Sequence, residues 1–111
     1  MARKKTEKQV AATVIRVRRM EPVLDDCAAA LDRLRTSLDS AAAVPGQLKA
    51  LSAYYGGRAW RSDFEADAQG ALPDDLKRGV LSEDAIYDAL TDSRAIALQM
   101  LELAAAILKE V

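Results

Sequence analysis

The sequence predicts an all-α protein: an antiparallel long-helix hairpin or small helical bundle, with a short middle helix and a structured acidic loop segment. Three observations lead there. The 111 residues are rich in alanine and leucine and include only three prolines, a composition that favours helix. Apolar residues recur three and four apart over two long stretches, which is the helical period. Aromatics make up 5% of the chain, so the core has to be built from Ala, Leu, Val and Ile.

Each element follows from local signals. Residues 1–8, MARKKTEK, read as a basic flexible tail ahead of a single helical domain over 9–111. A first helix is expected over about 9–43. Val10, Thr13, Val17, Met20, Leu24, Cys27, Leu31, Leu34 and Leu38 form a coiled-coil a/d seam there, with Thr13 its polar member. Pro22 lies inside this stretch and loses one backbone hydrogen bond. The seam keeps its phase across Pro22, which favours one kinked rod over two helices. Val44-Pro45-Gly46 marks a break, and Pro45 suits the first turn of a second helix over about 45–55. Gly56-Gly57 ends it, because glycine takes the left-handed conformation readily. Residues 56–82 read as loop-rich, with Trp60 and Phe64 sharing a short helical turn and Gly70 a turn. Ser82 caps a last helix over about 83–109, with Glu83 and Asp84 in its first turn. Its apolar stripe is broad enough to be covered on more than one side.

Composition excludes several function classes. There is no His, so the commonest general base and zinc ligand are missing. The single Cys27 sits in the seam as a small apolar side chain and cannot form an internal disulfide. The apolar run Ala95 to Leu108 is interrupted by Gln99 and Glu102 and is too short to cross a bilayer. Val10 to Ile15 is too short for a signal-peptide core. These features lead to the expectation of a cytoplasmic protein that does not enter the membrane. Ser62 and Ser82 have no His partner, and Gly56-Gly57 lacks the ending of a phosphate loop. The sequence leans against an enzyme and names no catalytic residue.

Charge is uneven. Residues 1–20 carry seven Lys/Arg and one Glu, while residues 62–92 carry nine acids and two bases. The basic stretch 2–19 offers an arm for nucleic acid or an acidic partner, as an alternative to a solvated start. Within the acidic stretch, Asp63, Glu65, Asp67, Asp74 and Asp75 are candidate ligands for a divalent cation, since alternate carboxylates before a turn glycine suit hard ions. The spacing departs from the twelve-residue calcium loop, with Ala68 at the glycine position and Asp74 in place of the bidentate Glu. The competing readings are helix caps, ion pairs with Arg58, Arg61, Lys77 and Arg78, or an acidic docking surface. Tyr54, Tyr55, Trp60, Phe64 and Tyr87 read as a miniature core, with a pocket as the alternative. No cofactor other than such a cation is expected.

The central stretch also carries a resemblance. Tyr54-Tyr55-Gly56, Trp60, Asp63, Glu65, Asp67, Gly70, Leu72-Pro73, Asp75 through Asp84 and Tyr87-Asp88 resemble a bacterial family catalogued as domain of unknown function 4298. Met20-Glu21 and the Leu31/Leu34 repeat fit its outline, so the likeness covers most of the chain. Gly57 and Ala68 depart from it, where Ser and Glu are common. The resemblance implies a small bacterial helical protein and transfers no mechanism.

The function expected from all this is a non-catalytic protein–protein interaction or scaffold module, with a protein partner or self-association. Its contact residues would be Tyr54, Tyr55, Trp60, Asp63, Glu65, Asp67, Asp75, Lys77 and Arg78. The alternatives are a divalent-metal module and a nucleic-acid-associated protein.

Overall fold

The computed structural model describes residues 4–111. The chain is all-α: four helices and one 3₁₀ turn, with no strand among the described residues. It divides into two compact units, one ending at Ala43 and one spanning Val44–Val111. A helix as long as the first satisfies its own backbone hydrogen bonds, which makes it a unit in its own right.

That first unit is α1, Glu7–Ala41, 35 residues long and so about 50 Å from end to end. It starts two residues earlier than expected, so the basic tail 1–8 is shorter than the sequence reading had it. Residues 1–3 of that tail lie outside the described residues. The start is set by a capping box. Thr6 Oγ1 accepts from the Gln9 N–H at 3.2 Å, and Gln9 Oε1 accepts from the Thr6 N–H at 2.8 Å. Glu7 adds a negative charge to the positive end of the helix dipole. Pro22 sits inside the helix, which runs through it without a break. No residue of α1 is buried.

The second unit holds α2 (Val44–Tyr54), α3 (Arg58–Ala68), a 3₁₀ turn (Gly79–Leu81) and α4 (Glu83–Glu110). Pro45 lies in the first turn of α2, where its missing N–H costs nothing. Gly56 has φ +73° and Gly70 φ +71°, a left-handed conformation that only glycine takes without strain. These two residues turn the chain after α2 and after α3. Helix α3 corrects the sequence reading of 56–82 as loop-rich. Its residues include no Pro or Gly, and Ala59, Glu65, Ala66 and Ala68 are good helix formers. The glycines and acids around it disguised a full helix as a single turn.

The core of this unit is small. Leu81 is 6% exposed and Ile86 2%, and they are the two buried apolar residues among those described. They flank the start of α4, where Ser82 Oγ accepts from the N–H groups of Asp84 and Ala85, each at 3.3 Å. Leu81 therefore precedes the cap and Ile86 is the fourth residue after it, the two positions of a hydrophobic staple. Helix α4 packs on α2 and on the 3₁₀ turn, and α3 packs on the same turn.

Candidate functional site

Several of the residues singled out in the sequence meet around that 3₁₀ turn. The Trp60 indole N–H donates to the Val80 carbonyl at 2.9 Å. The Tyr55 hydroxyl donates to the Glu83 carbonyl at 3.1 Å, in the first turn of α4. The Trp60 ring lies between two others: tilted against Tyr55 at 5.3 Å and stacked on Phe64 at 5.2 Å. Spacing of four along α3 puts Trp60 and Phe64 on one face. Tyr55 reaches them because Gly56 turns the chain directly after it. Such aromatic pairs contribute about 0.5–1.5 kcal/mol each beyond the area they bury. Of the five aromatics expected in a miniature core, Tyr55, Trp60 and Phe64 cluster, while the Tyr54 hydroxyl bonds to Asp63 and Tyr87 is exposed on α4.

Two polar links reach α3, one from the end of α2 and one from the loop before the 3₁₀ turn. The Tyr54 hydroxyl donates to Asp63 Oδ2 at 2.7 Å. Arg78 Nη1 donates to Asp67 Oδ1 at 2.7 Å, with both side chains about one-third exposed. The hydrogen bond to Asp63 holds the Tyr54 phenol above its usual 10.0, and removal from water and the negative charge of Asp63 act in the same direction. A phenol held in its neutral form is a donor, which makes it a poor base or nucleophile at neutral pH. Of the four cations expected to pair with the acids, Arg78 does so; Arg58, Arg61 and Lys77 form no ion pair among the described residues.

Tyr54, Asp63, Lys77 and Arg78 line one shallow depression of about 310 Å³ with Leu76 and Leu81. Trp60 and Tyr55 face the turn instead, and Glu65 and Asp75 are exposed. So the structure gathers some of the expected contact residues and engages others internally. The candidate metal ligands Asp63, Glu65, Asp67, Asp74 and Asp75 do not converge: among the described residues no three carboxylate or thiol side chains form a metal-holding group. Asp63 and Asp67 are taken by Tyr54 and Arg78. Asp74 and Asp75 occupy a turn closed by the Leu76 N–H donating to the Pro73 carbonyl at 3.2 Å.

Among the basic residues of α1, Arg16 and Arg19 are three apart and lie about 60° from one another on one face, with Arg18 about 160° from Arg16; the Arg16 guanidinium donates to Thr13 Oγ1 at 3.2 Å. No described helix is long and apolar enough to cross a membrane. Sequence reasoning placed its protein-contact residues in the central segment, and on the long helices only the basic stretch 2–19 as an arm for nucleic acid or an acidic partner. Yet large apolar side chains stand exposed along α1 and along the C-terminal half of α4. The signal was already in the sequence, in the long seam and the broad last stripe.

No curated protein matches the chain, and no solved structure does. A family model described as domain of unknown function (DUF4298) matches residues 17–103, from the middle of α1 through the knot around Trp60 into α4. With most of its length so matched, the chain belongs to the DUF4298 family.

Proposed function

We propose that this chain is a non-catalytic protein–protein interaction or scaffold module. The knot around Trp60 holds the second unit in shape, and the exposed apolar helix faces make the contacts. One observation carries the reading. Two apolar side chains are buried among the described residues, while Leu24 is 62% exposed and most of the α1 seam stands in the same condition. Exposed apolar area of this extent marks an interaction surface. The acidic side chains of the central segment, Glu65, Asp74 and Asp75 among them, are exposed as well and favour a partner with basic groups. The proposal places the module in the cytoplasm of a bacterial cell, where an exposed lone thiol such as Cys27 stays reduced.

The test is capture by the tagged full-length chain from an extract of its own cells, with the bound protein identified by cross-linking. Leu24→Glu/Leu31→Glu is expected to abolish capture at unchanged helix content. Asp75→Asn is expected to weaken capture by severalfold and to leave folding intact. Trp60→Ala is expected to lower the unfolding midpoint, since it removes the ring stack and the bond to Val80. If the chain binds neither another protein nor itself, the reading is wrong.

A further inference from the structure

The C-terminal half of α4 carries more apolar surface than one neighbour can cover. Over residues 95–108 the polar side chains are Gln99 and Glu102, one turn apart on a single side. At about 100° per residue, the apolar arc from Leu103 round to Leu98 spans roughly 220° of the helix. It resolves into two stripes. Ile96, Met100, Leu103 and Ile107 form the first, all exposed. Ala97, Leu101, Ala104 and Leu108 form the second, about 100° further round. Leu101 is 68% and Leu108 72% exposed, and Ala97 and Ala104 are exposed too.

The second stripe has a particular order: small, large, small, large. Two such stripes laid antiparallel about a two-fold axis between Leu101 and Ala104 set every leucine against an alanine. Leu101 faces Ala104 of the partner copy, and Ala97 faces Leu108. Alternating large and small residues across a seam is how helix interfaces interdigitate. A parallel, in-register pair would oppose leucine to leucine and alanine to alanine. The stripe is thus self-complementary, the requirement of a two-fold interface between identical chains. No charged side chain lies within it.

We infer that α4 pairs antiparallel with α4 of a second copy through Ala97, Leu101, Ala104 and Leu108, making the protein a homodimer. The inference deepens the interaction reading and rests on it. Four layers make a short seam, so the dimer belongs with small interfaces and dissociates at concentrations on the order of micromolar.

Sedimentation of the full chain across a dilution series reads this out. Two-chain mass is expected at the concentrated end and the single-chain 12.0 kDa at the dilute end. Ala104→Leu, which opposes leucine to Leu101 of the partner copy, is expected to weaken the dimer about tenfold or more. Leu101→Ala/Ala104→Leu restores small against large and is expected to recover most of that loss. Alanine and leucine are both strong helix formers and the sites are exposed, so the helix itself is left intact, which circular dichroism checks. A single-chain mass up to roughly several hundred micromolar, well above the range of a small specific interface, overturns the dimer. So does an Ala104→Leu variant that dimerises like the parent, or a double variant that fails to recover. A single-chain mass with capture of another protein retained overturns the dimer alone and leaves the interaction reading standing.

Discussion

The bond from Tyr54 to Asp63 is the link whose strength responds to pH. In the unfolded chain the phenol ionises near 10.0, and in the folded chain it holds its proton to higher pH. The folded state therefore binds more protons in the window above that value. By linkage, the contribution of Tyr54 to stability is fully present below pH 10.0 and is lost as pH rises through the folded value. Comparing the native chain with Tyr54→Phe cancels the lysines and the other tyrosines. The variant is expected to be less stable at neutral pH. The gap should stay constant up to about pH 10 and close above it, as measured by urea unfolding at a series of alkaline pH values. A gap that does not narrow would show that the hydroxyl bond contributes nothing in solution.

Individual helices show what their sequences specify and what they disguise. Helix α1 runs through Pro22 although the ring removes one backbone bond and crowds the carbonyl of Arg18. Pro22→Ala is expected to stabilise α1 by up to about 3 kcal/mol, seen as a higher midpoint in far-ultraviolet circular dichroism. No change would mean that the helix is already broken there in solution. The continuity of α1 was legible because the a/d seam holds its phase across the proline. The starts of α2 and α4 were legible from Pro45 and Ser82, and the left-handed turn from Gly56. The capping box was legible too, as Thr6 with Gln9 three residues on, but the basic residues around it suggested a tail. Helix α3 was not, since its alanines lie among aspartates that read equally well as turn residues. In the candidate site, the aromatic cluster could be read from spacing and from the glycine turn. The bonds from Trp60 to Val80 and from Tyr55 to Glu83 could not, because they reach main-chain carbonyls, which any residue type supplies. Much of the carboxylate excess proved to be structural: Asp63 and Asp67 are bonded, and Glu83 and Asp84 sit at the positive end of α4.

For the whole molecule, the governing fact is how little each unit buries within itself among the described residues: nothing in α1, and Leu81 and Ile86 in the second unit. A chain of this size ordinarily encloses a far larger share of its apolar side chains. Binding to the folded state alone adds stability by mass action. If the second copy supplies part of the missing burial, the unfolding midpoint should rise with protein concentration. A rise of about 2–4 °C per tenfold is expected above the dissociation constant, measured by scanning calorimetry. A midpoint that stays flat over a hundredfold range would leave stability independent of self-association.

Trp60 has one more consequence. It is the only tryptophan in the chain, and it is wedged between Tyr55 and Phe64 with its N–H on Val80. Ultraviolet emission excited at the red edge of protein absorption therefore comes from the second unit alone, at the knot beside the start of α4. Far-ultraviolet ellipticity comes chiefly from the 35 residues of α1 and the 28 of α4. The chain thus has two built-in optical reporters, one for its smallest packed region and one for its long rods. Whether the two melt together or apart can be seen without attaching a dye.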